Sequence, residues 1–254
     1  MRSSRRVSEA YDPDNLLDRH SDPNTLALHY EHMRVREREL LDARLPLRGG
    51  DVLSVGCGWN PGRHLFPKPV WRMTGVELEE EKPRVLVEDG TLDAGLAGRA
   101  GSLELEPESF DVVLYRLVLH HIAFQGPLAP VVEEAARLLR PGGALVAVEP
   151  GAWHPVGAGL AAANAAGLGA TVHGTPDDVP LSPIRLVREA RAAGLAAELH
   201  TVTYTWRRMA PALQRALWPL DRALGSRPRA AVLGHTLMLI ARRPHAGAHH
   251  GYHR

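Results

Sequence analysis

Among the 254 residues there is a single cysteine, Cys57. Its solitude excludes an internal disulfide and a cysteine-built zinc site, and a lone thiol fits a reducing compartment. Neither sign of charge is in excess: 30 Lys and Arg against 29 Asp and Glu leave a net charge of +1. That balance gives no reason to expect nucleic acid as a partner. Long apolar runs are missing too. None approaches the ~20 residues of a membrane span, and the nearest, 156–170, is short and rich in Gly and Ala. The first ten residues carry arginines and no apolar stretch, so no secretory signal is expected there. A cytoplasmic soluble protein with neither membrane nor nucleic acid as partner is the expectation. The histidines near the end, His245, His249, His250 and His253, read as a disordered tail, and no resident metal is expected. Apolar residues still make up 44% of the chain, enough for a substantial core in one large domain, or one domain plus a lid.

Hydrophobic periodicity divides the chain. Residues 1 to about 24 are polar, punctuated by Pro13 and Pro23, and read as loose or as a lid. Leu26, Tyr30, Met33, Glu37 and Leu41 fall near a 3.6-residue spacing, and Pro46 ends this helix. Residues 52–55 predict a first strand, 70–78 a second, 95–98 a short third and 110–114 a fourth, apolar enough to be buried on both faces. Helices are expected over 83–92 and 130–140. The second carries Glu133 and Arg137 as an exposed i,i+4 pair, with Pro141-Gly142-Gly143 as its stop. A fifth strand spans 144–149. Strands alternating with helices predict a parallel sheet with right-handed crossovers. Beyond Pro150, the Gly-, Ala- and Pro-rich stretch 151–180 reads as mobile or substrate-facing. A helix over 183–193, a strand over 198–206 and a final strand over 235–241 complete the pattern. Between the last two lies a helical leucine stripe, Leu213, Leu217, Leu220 and Leu224, interrupted at Pro219. The stripe can cover a substrate or make a homodimer contact; burial within one chain is the simpler expectation.

The densest chemical signal is the run from Asp51 to Gly62, in which a short apolar strand feeds Gly56-Cys57-Gly58-Trp59-Asn60-Pro61-Gly62. A strand that ends in glycines lets a ligand touch bare backbone, because no Cβ holds it away. A dinucleotide fingerprint would want a glycine where Pro61 stands, which argues against NAD. A phosphate loop would want Gly-Lys-Ser or Gly-Lys-Thr, which is absent. What remains is a nucleoside whose polar end lies on the turn. Glu77, 21 residues after Gly56, can accept both ribose hydroxyls. The competing reading is a solvated surface acid, since Glu79, Glu80 and Glu81 follow at once.

Five elements in register then resemble one family: Gly56-Cys57-Gly58, Glu77, Ser109-Phe110-Asp111, Leu119-His120-His121, and Leu139-Arg140-Pro141-Gly142-Gly143. In this order and spacing, residues 51–149 resemble the class I S-adenosylmethionine-dependent methyltransferases, in their small-molecule branch. The resemblance implies an α/β fold: a Rossmann-like, seven-stranded, mostly parallel sheet with the last strand antiparallel and helices on both faces. It implies a methyltransferase that uses S-adenosyl-L-methionine on a small molecule, with O-methylation the first expectation, N or C alternatives, and bacterial specialised metabolism a setting. The chain then divides into an N-terminal lid at 1–46, a cofactor-binding core at 47–150, a C-terminal half of the sheet with substrate-facing insertions at 151–243, and the tail at 244–254. The cofactor is assigned to Gly56, Cys57, Gly58, Glu77, Leu78, Arg99, Ala100, Arg116 and Leu117. His120 and His121 are the candidate catalytic residues, with a role in shaping the turn and contacting the cofactor as the alternative.

Three positions depart from the family pattern. Ser54 stands where the family has an acid near the amino group of the cofactor's methionine part. Asn60 stands at the third glycine of the turn, and Asn tolerates positive φ better than most residues. Arg99 stands where an aspartate usually faces the adenine amine, and a guanidinium cannot accept a hydrogen bond. Further candidate bases are His29, His32, His154 and His173. The segment His29-Tyr30-Glu31-His32 can close over the site, Arg34 can reach for the methionine carboxylate, and Trp153, Trp206, Trp218 and Tyr204 can line a planar pocket or lie in the core. Two other classes stay open: a cofactor-binding homologue or partner subunit that does not methylate, and a nucleotide-dependent oxidoreductase, which Pro61 disfavours.

Overall fold

The structure is a computed structural model that describes residues 22–168 and 179–245. His173, residues 1–21 and the histidines after His245 lie outside the described residues. Seven strands form one sheet: β1 (Gly50–Val55), β2 (Trp71–Glu77), β3 (Ala94–Ala97), β4 (Phe110–Arg116), β5 (Leu139–Pro150), β6 (Ala196–Thr203) and β7 (Thr236–Arg242), in the order β3-β2-β1-β4-β5-β7-β6. The β3-β2, β2-β1, β1-β4 and β4-β5 pairs are parallel, whereas β7 runs antiparallel to β5 and to β6. The strand order reverses between β1 and β4. In open α/β sheets, that reversal leaves a crevice beyond the carboxyl ends of the two strands, where ligands bind.

Alternation along the strands explains why helices cover both faces. Leu53, Val55, Val113, Tyr115, Leu145, Ala147 and Leu239 point to one side. There they meet Val131, Ala135 and Leu138 of α4 (Ala129–Leu138), and Leu186 and Ala190 of α6 (Pro183–Ala192). Val52, Met73, Val112, Leu114, Val146, Val148 and Ile240 point to the other, against Met33, Leu40 and Leu41 of α1 (Pro23–Arg44) and Leu86 of α2 (Glu81–Glu88). Each fully buried Leu or Val contributes about 1.5–3 kcal/mol, so the two apolar layers fix the register of the sheet. Asp22 starts α1: its carboxylate accepts from the Thr25 amide at 2.7 Å, with Pro23 at the first helical position.

Three expectations need correction, and two helices were not foreseen. Pro141-Gly142-Gly143 does not stop a helix; α4 ends at Leu138, and β5 runs from Leu139 through these residues to Pro150. Arg137 does not pair with Glu133. Its guanidinium donates to the Leu105 and Leu103 carbonyls at 2.8 and 3.2 Å, tying down the loop after β3. The stretch after Pro150 holds a regular helix, α5 (Pro155–Ala165), and the motif histidines His120 and His121 sit on a short helix, α3 (Leu119–Gln125), that periodicity did not reveal. Helix α7 (Pro211–Leu224) continues through Pro219, which lies on its exposed side, and Leu213 and Leu220 stay 48% and 41% exposed rather than packing inside the chain. A last helix, α8 (Pro228–Ala231), leads into β7. Among the described residues, no helix is long and apolar enough to cross a membrane, and no group of three or more His, Cys, Asp or Glu could hold a metal ion.

Candidate active site

At the end of β1 the chain turns through Gly56 and Gly58, with φ of +64° and +49°. The two glycines are required for different reasons. A Cβ on Gly56 would sit 2.3 Å from Val118 Cγ2, so packing forbids it. A Cβ on Gly58 would meet no protein atom within 4 Å. The bare backbone at Gly58 therefore faces open space beyond the sheet. Cys57, between them, is buried and donates its amide to the Val76 carbonyl at 3.0 Å. Burial, with Glu77 nearby, pushes the Cys57 thiol up to about 12, so it offers no thiolate at neutral pH.

Glu77 closes β2 beside this turn. One carboxylate oxygen accepts the Gly58 amide at 2.9 Å, and the other accepts the Leu78 amide at 3.1 Å. A carboxylate has about four lone-pair sites. Two amides leave room for a pair of hydroxyls on a ribose. Leu78 is 59% exposed next to it. At the tip of β3, Arg99 is exposed and Ala100 half-buried. The loop that follows is shaped by Glu134 of α4, which accepts the Gly101 amide at 2.6 Å and the Leu103 amide at 2.5 Å.

The end of β4 is held from two directions. Glu37 of α1 is fully buried and takes the Arg116 guanidinium through Nε at 3.1 Å and Nη2 at 3.2 Å, and His64 Nε2 at 2.9 Å. Burial would raise its carboxyl, but Arg116 and His64 outweigh burial and hold it below the usual carboxylate range. The Arg116 side chain is thus committed to helix α1, and its backbone is what it can offer a ligand. Leu117 takes a left-handed φ of +57°, rare for a branched residue, and donates its amide to Val148 at 2.8 Å. Glu149, also fully buried, accepts the Val118 and Leu119 amides at 3.0 and 2.8 Å and meets His120 Nδ1 at 2.6 Å. It caps α3 and fixes the first motif histidine. His121 is half-buried, with its ring centroid 4.1 Å from that of His120.

The other sequence candidates fall in different places. Asp111 of the Ser-Phe-Asp motif lies at the opposite end of the sheet, where it accepts the Asp51 amide at 2.8 Å and Arg140 at 2.6 Å. Ser54 is buried within β1. His32 meets Asp221 at 2.7 Å and stacks on Trp218 at 4.1 Å, which joins α1 to α7. Tyr204 donates its hydroxyl to the Ala230 carbonyl at 3.1 Å, and Trp153 is 43% exposed. Gln214, Glu37, Glu134 and Glu149 escaped attention as functional residues. Glu37 carried a usable signal, an acid on the apolar stripe of a helix. The others had none in one sequence.

The central segment, residues 53–147, matches the family model described as "Methyltransferase domain". A ubiquinone biosynthesis O-methyltransferase of Thiobacillus denitrificans is 31% identical over 133 residues, covering 50% of this chain and 56% of that protein. A 27-O-demethylrifamycin SV methyltransferase of Amycolatopsis mediterranei is 33% identical over 141 residues, 52% of this chain and 50% of that one. The chain thus spans about half the length of the curated relatives it matches. Among solved structures, an S-adenosylmethionine-dependent methyltransferase of Thermotoga maritima, a possible histamine N-methyltransferase, superposes with a TM-score of 0.59 at 16% identity, over 87% of this chain and 93% of that one. The central segment thus matches the methyltransferase domain model, and the fold is that of solved S-adenosylmethionine-dependent methyltransferases.

Proposed function

We propose that the protein transfers a methyl group from S-adenosyl-L-methionine to a small-molecule acceptor, with oxygen the first candidate for the acceptor atom. The observation behind this reading is the pairing of Gly58, whose missing Cβ opens onto free space, with the Glu77 carboxylate at the strand-order reversal. Glu77 would hold the ribose, and the backbone of Gly56, Cys57 and Gly58 would lie under the methionine part. Leu78, Arg99 and Ala100 would flank the adenine, Arg99 by stacking its guanidinium plane, since it cannot accept from the amine. The backbone of Arg116 and Leu117 would floor the reacting end. When bound, the cofactor supplies a methyl group already activated by its sulfonium. The protein's work is then to hold the acceptor in line with that methyl, and orientation is the largest available term. His120 acts through Glu149 to set the turn, and His121 stands beside it at the reacting end. Relatives whose names describe O-methylation support oxygen, and the rifamycin relative supports a setting in specialised metabolism. A cytoplasmic location and a homodimer contact through the exposed Leu213 and Leu220 belong to the same proposal.

A second reading has specific support. Ser54 and Arg99 remove two polar contacts that the family pattern supplies, which fits a homologue that binds the cofactor without transferring methyl. Isothermal calorimetry with S-adenosylhomocysteine, followed by mass spectrometry of phenolic acceptors incubated with S-adenosylmethionine, separates the two. The transferase reading expects binding and acceptors heavier by one methyl. Binding without transfer across a broad panel favours the second reading. No binding at high micromolar concentration sinks both.

A further inference from the structure

Helix α7 packs the wrong way round for a helix in water. Of its 14 residues only Gln214 and Asp221 are buried, and both are polar. Gln214 meets His29 Nδ1 at 3.1 Å, and Asp221 takes His32 at 2.7 Å and the Tyr204 amide at 2.9 Å. An amphipathic surface helix turns its apolar side to the core. Here Leu217, Trp218 and Leu224 are half-buried at the seam, and Leu213 and Leu220 stand 48% and 41% exposed. Ala212, Ala216, Pro219 and Ala223 fill the outer side, all exposed. Tyr204 donates its hydroxyl to the Ala230 carbonyl of α8 at 3.1 Å, so Tyr204 ties α8 to the end of α7. Just past α8, Leu233 is 49% exposed.

Charge in this part of the chain is equally one-sided. After Glu198 the sequence holds nine arginines and no lysine against a single acid, Asp221, although the whole chain is near neutral. That one acid is buried. Arg208, Arg215, Arg222, Arg227 and Arg229, within and around α7 and α8, are all exposed. Arg208 lies over the Trp206 ring at 5.7 Å, and Arg222 pairs with Glu39 at 2.6 Å. Arg215, Arg227 and Arg229 make no ion pair among the described residues. A basic end on a chain of balanced charge points to an anionic surface as its partner.

We propose that α7 docks the protein flat on an anionic phospholipid surface. Leu213 and Leu220 enter the headgroup boundary, and the arginines of α7 and α8 meet the lipid phosphates, a geometry that suits the guanidinium fork. A nucleic acid would answer the arginines and leave the leucines facing water. A second copy would answer the leucines, but a two-fold contact brings like surfaces together and sets arginine against arginine. The homodimer contact is then the weaker state, and lipid displaces it. An anionic lipid surface satisfies both features at once. Lying on a bilayer needs no spanning run, so the lack of one bears only on crossing it.

Co-sedimentation of the full chain with vesicles tests this, using phosphatidylcholine alone and phosphatidylcholine mixed with phosphatidylglycerol. The protein should pellet with the mixed vesicles and stay in solution with phosphatidylcholine, and added salt should weaken the binding. Leu213→Asp combined with Leu220→Asp should lower vesicle affinity at least about tenfold, because an anion replaces each inserted side chain. Arg215→Gln, Arg227→Gln and Arg229→Gln together should lower it roughly a hundredfold, about fivefold for each charge. All five positions are exposed, so both variants should melt close to the parent, which separates lost docking from a lost fold. No pelleting with the mixed vesicles overturns the proposal. So does a leucine variant that pellets like the parent, which would mark a response to any polyanion. A dimer that persists in light scattering with mixed vesicles present, and does not pellet, gives the face to a second copy and overturns it too. Docking does not involve the cofactor, so its failure leaves the transferase reading standing.

Discussion

Replacing Glu37 by Gln tests whether the buried fork between α1 and β4 holds the N-terminal helix over the site. The carboxylate is fully buried, and the side chains it serves, Arg116 and His64, are 7% and 9% exposed. An uncharged amide cannot neutralise the guanidinium, and little of it reaches water. Removing one partner of such a pair costs about 3–5 kcal/mol, because a buried charge is left uncompensated. For a chain of this size each kcal/mol lowers Tm by roughly 2–4 °C, so Glu37→Gln should melt on the order of 6–20 °C below the parent. The pair itself need not be stabilising, since desolvation offsets much of the attraction. The double variant Glu37→Met, Arg116→Leu should therefore recover most of the loss. Urea unfolding of the parent, Glu37→Met, Arg116→Leu and the double variant gives the coupling energy directly. A cost below about 1 kcal/mol for Glu37→Gln, or a double variant no better than the singles, would show that the fork is not a buried charge pair and would refute the reasoning.

Three further outcomes follow from the same geometry. Gly56→Ala should lose about 2–4 kcal/mol of stability, from a left-handed φ plus the clash with Val118. Gly58→Ala should lose only about 1–2 kcal/mol, from its φ alone, yet bind S-adenosylhomocysteine at least about tenfold more weakly; chemical denaturation and calorimetry on the pair check the contrast. Burial lowers the His29 pKa to about 4 from 6.5, so the unfolded chain takes up the proton first. Its contribution is complete above pH 6.5 and is lost as pH falls toward 4, an effect on the order of 3 kcal/mol. The charged and titratable groups facing it are Arg207, His32, Tyr30 and His235. Stability measured against pH should be less steep over this window in His29→Gln, and equal slopes would contradict the assignment.

Much of the fold was legible because β1, β4 and β5 carry nearly continuous apolar runs, as strands buried on both faces require, and apolar residues recur at helical spacing in α1 and α4. The glycine turn and the acid beside it were legible for a different reason. Bare backbone after β1 and an acid at the tip of β2 are local requirements, written at fixed positions in the chain. What stayed hidden depends on tertiary proximity. Glu37 and Arg116 are 79 residues apart, and His29 and Gln214 are 185 apart; nothing in either neighbourhood names the other. Pro141-Gly142-Gly143 misled for a physical reason: a helix-breaking triplet can also enter a strand when the chain beyond the neighbouring strand supplies its hydrogen bonds, as Arg243 does for Gly142 and Gly143. The leucines of α7 show that a helical stripe marks a face and does not say what covers it.

Calorimetric titration of S-adenosylhomocysteine into the parent protein and into Glu77→Ala bears most directly on the central claim. If the ribose lies on the Glu77 carboxylate, the parent binds and the variant binds about 1.5–3 kcal/mol more weakly, roughly ten- to hundredfold in Kd. Equal affinities for the two proteins, or no heat from the parent at high micromolar ligand, would contradict it.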